Sequence, residues 1–185
     1  MRKTITTIAS EVSEVLYRID ANEAITLAEK IQQANRIFVA GTGRSGLISK
    51  VFAMRMMHIG FPIYVVGETI TPSIEADDLL VILSGSGSTG TLKYFAEKAK
   101  AIDAKVALVT TNRESMIGKI SDSIIVVPAA TKKRLSSEPA TIQPLGSQFD
   151  QSAHLVLDAV IAYLLERLPE ANNHTALNQK HANLE

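Results

Sequence analysis

The 185-residue chain contains no cysteine, which excludes a disulfide framework, a thiol nucleophile and a thiolate metal site. It also has no excess charge of either sign. Nineteen Lys and Arg residues face nineteen Asp and Glu, for a formal net charge of zero, so there is no broad basic field to attract nucleic acid or an anionic membrane. Nothing approaches the roughly 20 consecutive apolar residues that a membrane-spanning helix needs. Met1-Arg2-Lys3-Thr4 is followed by no apolar block of the kind found in a secretory leader. Internal repeats and low-complexity tracts are missing too. These absences lead to the expectation of a cytoplasmic protein with no nucleic-acid or membrane partner and no thiolate-bound metal.

What is present is an ordinary globular composition, 46% apolar and 21% charged, in a length that suits one domain, residues 1–185. A chain of this size buries about 70% of its unfolded surface without any staple. Ile5, Ile8, Val12, Val15, Leu16 and Ile19 recur at steps of three and four, one stripe of an amphipathic helix. Asn22 is the expected cap of a second helix reaching about Ala34. These N-terminal helices, 3–34, carry no reactive constellation and read as packing or subunit-contact elements.

The pattern then changes to an α/β core over 35–168. Short, β-branched runs at 36–40, 62–66, 79–83, 106–109 and 124–127 do not alternate with polar residues, as expected of strands in a parallel sheet covered on both faces. Helical stretches lie between them at 47–59, 89–102, near 115–120 and at 147–168. Alternation of this kind argues for right-handed βαβ units. The 67–78 connection, with Pro72, is expected to be loop. The long 129–146 segment holds Pro139, Pro144 and a Lys132-Lys133-Arg134 cluster, and long loops in compact domains tend to carry function. Pro169 should end the last helix, leaving a polar tail over 169–185.

Two loops carry the chemistry. Gly41-Thr42-Gly43-Arg44-Ser45-Gly46 follows the first strand, and Ser84-Gly85-Ser86-Gly87-Ser88-Thr89-Gly90 follows the third. Glycine allows close backbone approach. Helix N-termini favour a negative group, and Ser45, Ser84, Ser86, Ser88 and Thr89 add neutral hydroxyl donors. A tight strand-to-helix turn with a capping serine would use similar residues. In the flavodoxin-like order 2-1-3-4-5, however, strand order reverses between strands one and three, so both loops should open on one crevice. A small phosphorylated ligand is expected there. The first loop also spells G-x-G-x-x-G, with Glu68 where a ribose-binding acid would sit, so a dinucleotide-binding protein is the rival reading. Against it stand Arg44 and Ser45 inside the turn, the unexplained second loop, and little chain left for a substrate domain.

The Ser84–Thr89 residues match the S-x-S-G-x-T loop of the sugar isomerase (SIS) domain family, and the first glycine loop fits the same family. Met54-Arg55-Met56-Met57-His58-Ile59-Gly60-Phe61, Gln143-Pro144-Leu145-Gly146-Ser147-Gln148-Phe149-Asp150 and His181-Ala182-Asn183-Leu184-Glu185 narrow the resemblance to the 6-phospho-3-hexuloisomerases. It covers nearly the whole chain. It implies a three-layer αβα sandwich on a five-stranded parallel sheet in order 2-1-3-4-5 and a homo-oligomer, a tetramer above all. The implied activity is cofactor-free conversion of D-arabino-3-hexulose 6-phosphate to fructose 6-phosphate. By that likeness Ser45, Ser84, Ser86 and Thr89 hold the phosphate, and Gly85, Gly87 and Ser88 complete its loop. Asp150, where the family is expected to carry Glu, takes the proton.

Moving a carbonyl from C3 to C2 runs through a 2,3-enediol or enediolate. It requires one group that takes and returns a proton, with donors near the developing oxyanion. Asp150 opens the last helix, where the dipole favours its charged form. Gly43, Arg44 and Glu68 are further candidates for the crevice. Among the histidines, His58 ends a helix whose C-terminus should stabilise its cation. His154, one turn beyond Asp150, is placed to orient it, and His174 reads as surface. His181 gains a catalytic or lid part if the tail folds over a neighbouring subunit's crevice. Two further alternatives are an isomerase of another sugar phosphate and a phosphosugar-sensing module without catalysis.

Overall fold

The computed structural model describes residues 1–168 and 174–181. Five parallel strands, β1 (Ile37–Gly41), β2 (Ile63–Val65), β3 (Leu79–Leu83), β4 (Lys105–Thr110) and β5 (Ser123–Val126), form one sheet in the order β2-β1-β3-β4-β5. The helices are α1 (Arg2–Tyr17), α2 (Ala21–Gln33), α3 (Gly43–His58), α4 (Gly90–Ala101), α5 (Ser147–Arg167) and the short α6 (His174–Gln179). A 3₁₀ turn spans Gly118–Ile120. Among the described residues, no helix is long and apolar enough to cross a membrane. Pro169 and residues 182–185 of the terminal motif lie outside the described residues.

The strands are apolar on both faces because both faces are covered. Ile37, Val39, Leu79, Val81, Leu83 and Val109 pack toward α2, α3 and α5, into one core cluster. Phe38, Ala40, Leu80, Ile82 and Leu108 point the other way, onto Leu92, Ala96 and Ala99 of α4. This is the expected three-layer α/β sandwich, unevenly loaded: the connection from β2 to β3 forms no helix, so α4 and the 3₁₀ turn cover the second face.

Two local expectations are corrected. The cap of α2 is Asp20, not Asn22: its carboxylate accepts the Asn22 backbone N–H at 2.9 Å. The helix thus begins at Ala21, and Asn22 lies inside its first turn. The third helix begins at Gly43 rather than Leu47, so Arg44 and Ser45 belong to its first turn instead of a preceding loop.

Register sets the position of the crevice. Gly41 pairs with Leu83 across β1 and β3, so the loops leaving these adjacent strands start level with each other. Thr110 pairs with Val126 on the β4–β5 side. The strand ends therefore form one rim, with the reversal of strand order at its centre.

Candidate active site

A cavity of about 440 Å³ occupies that rim, within the range of small-molecule sites. Its wall draws on every loop at the C-terminal edge of β1, β3, β4 and β5, and on the first turn of α5. Arg44, Ser45, Ser84, Gly85, Ser86, Ser88, Thr89 and Asp150 all line it. The two glycine loops thus converge, with the carboxylate between them.

The loop after β3 is held rigidly. Ser84, buried at its start, accepts the Gly87 N–H at its Oγ, 3.1 Å. The Gly85 carbonyl accepts the Thr111 N–H (3.0 Å) and the hydroxyls of Thr110 (3.1 Å) and Thr111 (2.8 Å), which fixes that carbonyl on β4. Gly87 has φ +58°, and a Cβ there would stand 2.0 Å from Ser115 Oγ, so both conformation and space demand glycine. Thr42 and Thr89 occupy the N-cap positions of α3 and α4, but neither side chain bonds to its helix. Both line the cavity, and their hydroxyls remain for a ligand.

Asp150 is 5% exposed. Ser45 Oγ donates to its Oδ1 at 2.8 Å, and Arg44 Nε to its Oδ2 at 3.1 Å. Ser45, expected to face a phosphate, here directs its proton at the carboxylate, so a phosphoryl oxygen would compete with Asp150 for it. The shorter reach of Asp relative to Glu is compatible with these contacts because α3 begins early enough to bring Arg44 and Ser45 to α5.

Other candidates lie elsewhere. Glu68 bonds Lys50 of α3 at 2.5 Å and is not among the cavity-lining residues, which leaves the dinucleotide reading without its ribose acid. Gly43 and Gly87 do not line the cavity and serve the loops through their positive φ, +57° and +58°. His154 pairs with Asp158 (Nε2 to Oδ2, 3.4 Å), not with Asp150: spacing of four residues runs both ways along a helix, and the Asp150 carboxylate is already held from α3. His58 stacks on His181 with ring centroids 5.4 Å apart. Both sit at the far end of α3, about 20 Å from Ser45 at about 1.5 Å per residue, so within one subunit His181 is not at the cavity. The side chain of His174 lies outside the description.

His58 also departs from the expected stabilised cation. Burial, then the nearby charges of Arg55 and His181, lower its pKa below the ordinary 6.5. The folded state therefore binds this proton less readily than the unfolded chain, and stability associated with neutral His58 is present above about pH 6.5 and lost as pH falls below it. The carboxylates of Glu11, Asp122 and Glu138, all with lowered pKa values, act in a separate window below about pH 4.5. Denaturant unfolding followed between pH 7.5 and 5 should show stability falling with pH, with a flatter slope in His58→Gln. An unchanged slope would assign the fall to other groups.

Sequence reasoning missed Thr42, Thr111, Asn112, Lys132 and Lys133 in the wall. For Thr111 and Asn112 a signal existed: they follow β4 on the same edge that carries the glycine loops.

The chain matches the family model described as the SIS domain over residues 30–144. It is 44% identical over 178 residues to 3-hexulose-6-phosphate isomerase of Bacillus subtilis, covering 96% of this chain and 95% of that one. With the Mycobacterium gastri protein of the same name the identity is 40%, over 96% and 88%. A crystal structure of a Methanococcus jannaschii protein, said to infer a 3-hexulose-6-phosphate isomerase function, superposes with a TM-score of 0.84 at 33% identity, covering 99% of both chains.

Proposed function

The chain belongs to the SIS-domain family, and on that footing we propose that it interconverts D-arabino-3-hexulose 6-phosphate and fructose 6-phosphate. The carrying observation is the placement of Asp150: a buried carboxylate, oriented by Ser45 and Arg44, inside a cavity whose opposite wall is the Ser/Thr loop after β3. A phosphoryl group seated on Ser84, Ser86, Ser88 and Thr89 leaves the middle carbons of the sugar to face the β1 side.

The reaction follows from these positions. Asp150 removes the proton on C2, and the C3 carbonyl oxygen becomes the enediolate oxygen. The guanidinium of Arg44, beside the base and 60% exposed, is the charged donor on that side of the cavity for the developing oxyanion. The carboxylic acid then returns the proton to C3, while the O2 proton transfers toward O3, leaving a carbonyl at C2. C2 is oxidised and C3 reduced within the one molecule, so the step draws on no external oxidant or reductant. In this reading the enzyme is cytoplasmic and serves the ribulose monophosphate pathway, in formaldehyde fixation or removal.

The same reading includes a homo-oligomer, a tetramer. Leu47, Val51 and Met54 expose an apolar stripe along α3, the helix that starts at the cavity. His181 then serves a neighbouring subunit's site. Co-expressed Asp150→Asn and His181→Ala chains should recover activity that neither has alone, and no recovery removes His181 from the mechanism.

The direct test is exchange of the C3 proton of fructose 6-phosphate in heavy water, followed by NMR together with formation of the 3-ketose. Exchange with 3-ketose formation is expected. Conversion to an aldose phosphate instead would reassign the substrate, and binding without exchange would make the chain a phosphosugar sensor.

A further inference from the structure

The hydroxyls facing the proposed phosphoryl position are neutral, yet a phosphate ester is a dianion. Full burial of such charge on neutral donors is costly without compensating cations. The cavity's lining cations are Arg44, Lys132 and Lys133. Arg44 is ion-paired with Asp150. Among the described residues, Lys132 and Lys133 have no carboxylate in ion-pair contact.

These lysines sit on a loop that is tied down before any ligand arrives. Glu138 accepts the Thr131 N–H (2.9 Å), the Thr131 hydroxyl (2.5 Å) and the Leu135 N–H (3.3 Å), closing a small ring around the pair. Gln148 of α5 accepts the Ala130 N–H at 2.8 Å. Glu11 of α1 holds the other limb, accepting from the Thr141 hydroxyl (2.6 Å), the Ile142 N–H (2.8 Å) and Gln143 Nε2 (3.1 Å). Arg134 and Leu145 have φ of +51° and +52°, a left-handed backbone that non-glycine residues hold only when their surroundings impose it. Arg134 also donates to the Gln143 carbonyl.

Topology gives the direction of approach. The loop leaves β5, on the β4 side of the sheet, and so reaches the cavity from the side of the Ser84–Thr89 loop. Arg44 and Asp150 approach from the β1 side. We propose that Lys132 and Lys133 are the cationic half of the phosphoryl-binding site, presented by a preformed loop that selects dianionic phosphate esters over neutral sugars. This rests on the phosphosugar reading above and adds its charge recognition. Because the loop is ordered in advance, little conformational freedom is lost on binding.

The test is calorimetric titration of the intact protein with fructose 6-phosphate, and with fructose, at low and high ionic strength. Wild type should bind only the phosphate ester, more weakly as salt rises. Lys132→Gln/Lys133→Gln should weaken binding by about 30-fold, the size of losing one or two charge-assisted hydrogen bonds, and should flatten the salt dependence. Lys132→Arg/Lys133→Arg should restore most of both. Both side chains are exposed, so the variants should fold. Unchanged affinity and salt dependence in the double Gln variant would overturn the assignment while leaving the isomerase reading intact. Wild type that binds fructose 6-phosphate without isomerising it would overturn the isomerase reading alone. Wild type that binds no phosphate ester would overturn both.

Discussion

Asp150→Asn is expected to cut turnover by at least about 10³-fold, in line with removal of a positioned general base, while fructose 6-phosphate affinity stays within about threefold or improves. The substitution changes little in shape. The amide oxygen still accepts from Ser45, as Oδ1 does now. The contact that changes is with Arg44 Nε, where an amide NH₂ replaces a carboxylate oxygen. Arg44 is then freed from its ion pair, and one negative charge leaves a cavity that must take up a dianion. Both effects favour binding, so any loss of turnover is not explained by a weakened complex. Asp150→Glu should retain measurable activity, because the longer side chain keeps the base. The measurements are turnover, by exchange of the C3 proton of fructose 6-phosphate, and Kd by calorimetry. An Asp150→Asn enzyme exchanging within about tenfold of wild type would show that another group takes the proton.

The second large effect is expected on KM. Replacing Ser86 and Thr89 together by Ala should raise KM for the phosphosugar by about 10²-fold, since each hydrogen bond to a charged group is worth about 1.5–3 kcal/mol. The structure separates this from a folding defect. The Thr89 side chain makes no bond to the helix it caps, so its loss should cost less than the roughly 1 kcal/mol of an engaged cap. Ser86 Oγ accepts one long bond, from the Ser88 N–H at 3.3 Å. Ser84 would be a poor choice, because its buried Oγ holds Gly87 in the turn. The double variant should melt within a few degrees of wild type. An unchanged KM in a folded variant would place the phosphoryl group elsewhere in the cavity.

How far the sequence reaches can be seen from these residues. The five strands are legible because buried parallel strands are locally apolar, whereas their order follows from the family resemblance and from no local pattern. Ser84–Gly90 was readable for the same reason, as its composition and its place after a strand are local facts. The relation of Ser45 and Arg44 to Asp150 spans more than a hundred residues and leaves no periodic trace. The reading of His154 failed because Asp150 and Asp158 stand at equal distances from it along the helix, and only α3, absent from that local view, decides between them. His58 failed similarly: the helix end predicted a favoured cation, but the burial and the Arg55 and His181 contacts that oppose it come from folding. Lys132-Lys133-Arg134 was visible as a cluster, yet its purpose depends on Glu11 and Glu138, which share no motif with it.

The tether from Glu11 to the 141–143 limb has a consequence for where the working unit ends. The family match spans residues 30–144, which keeps both glycine turns but excludes Glu11, Gln148 and Asp150. A fragment excised at those borders would retain the serine and threonine loop while discarding the proposed proton carrier and two of the moorings that hold the lysines. The first helix adds no residue to the cavity wall, yet through Glu11 it braces the loop that carries the lysines.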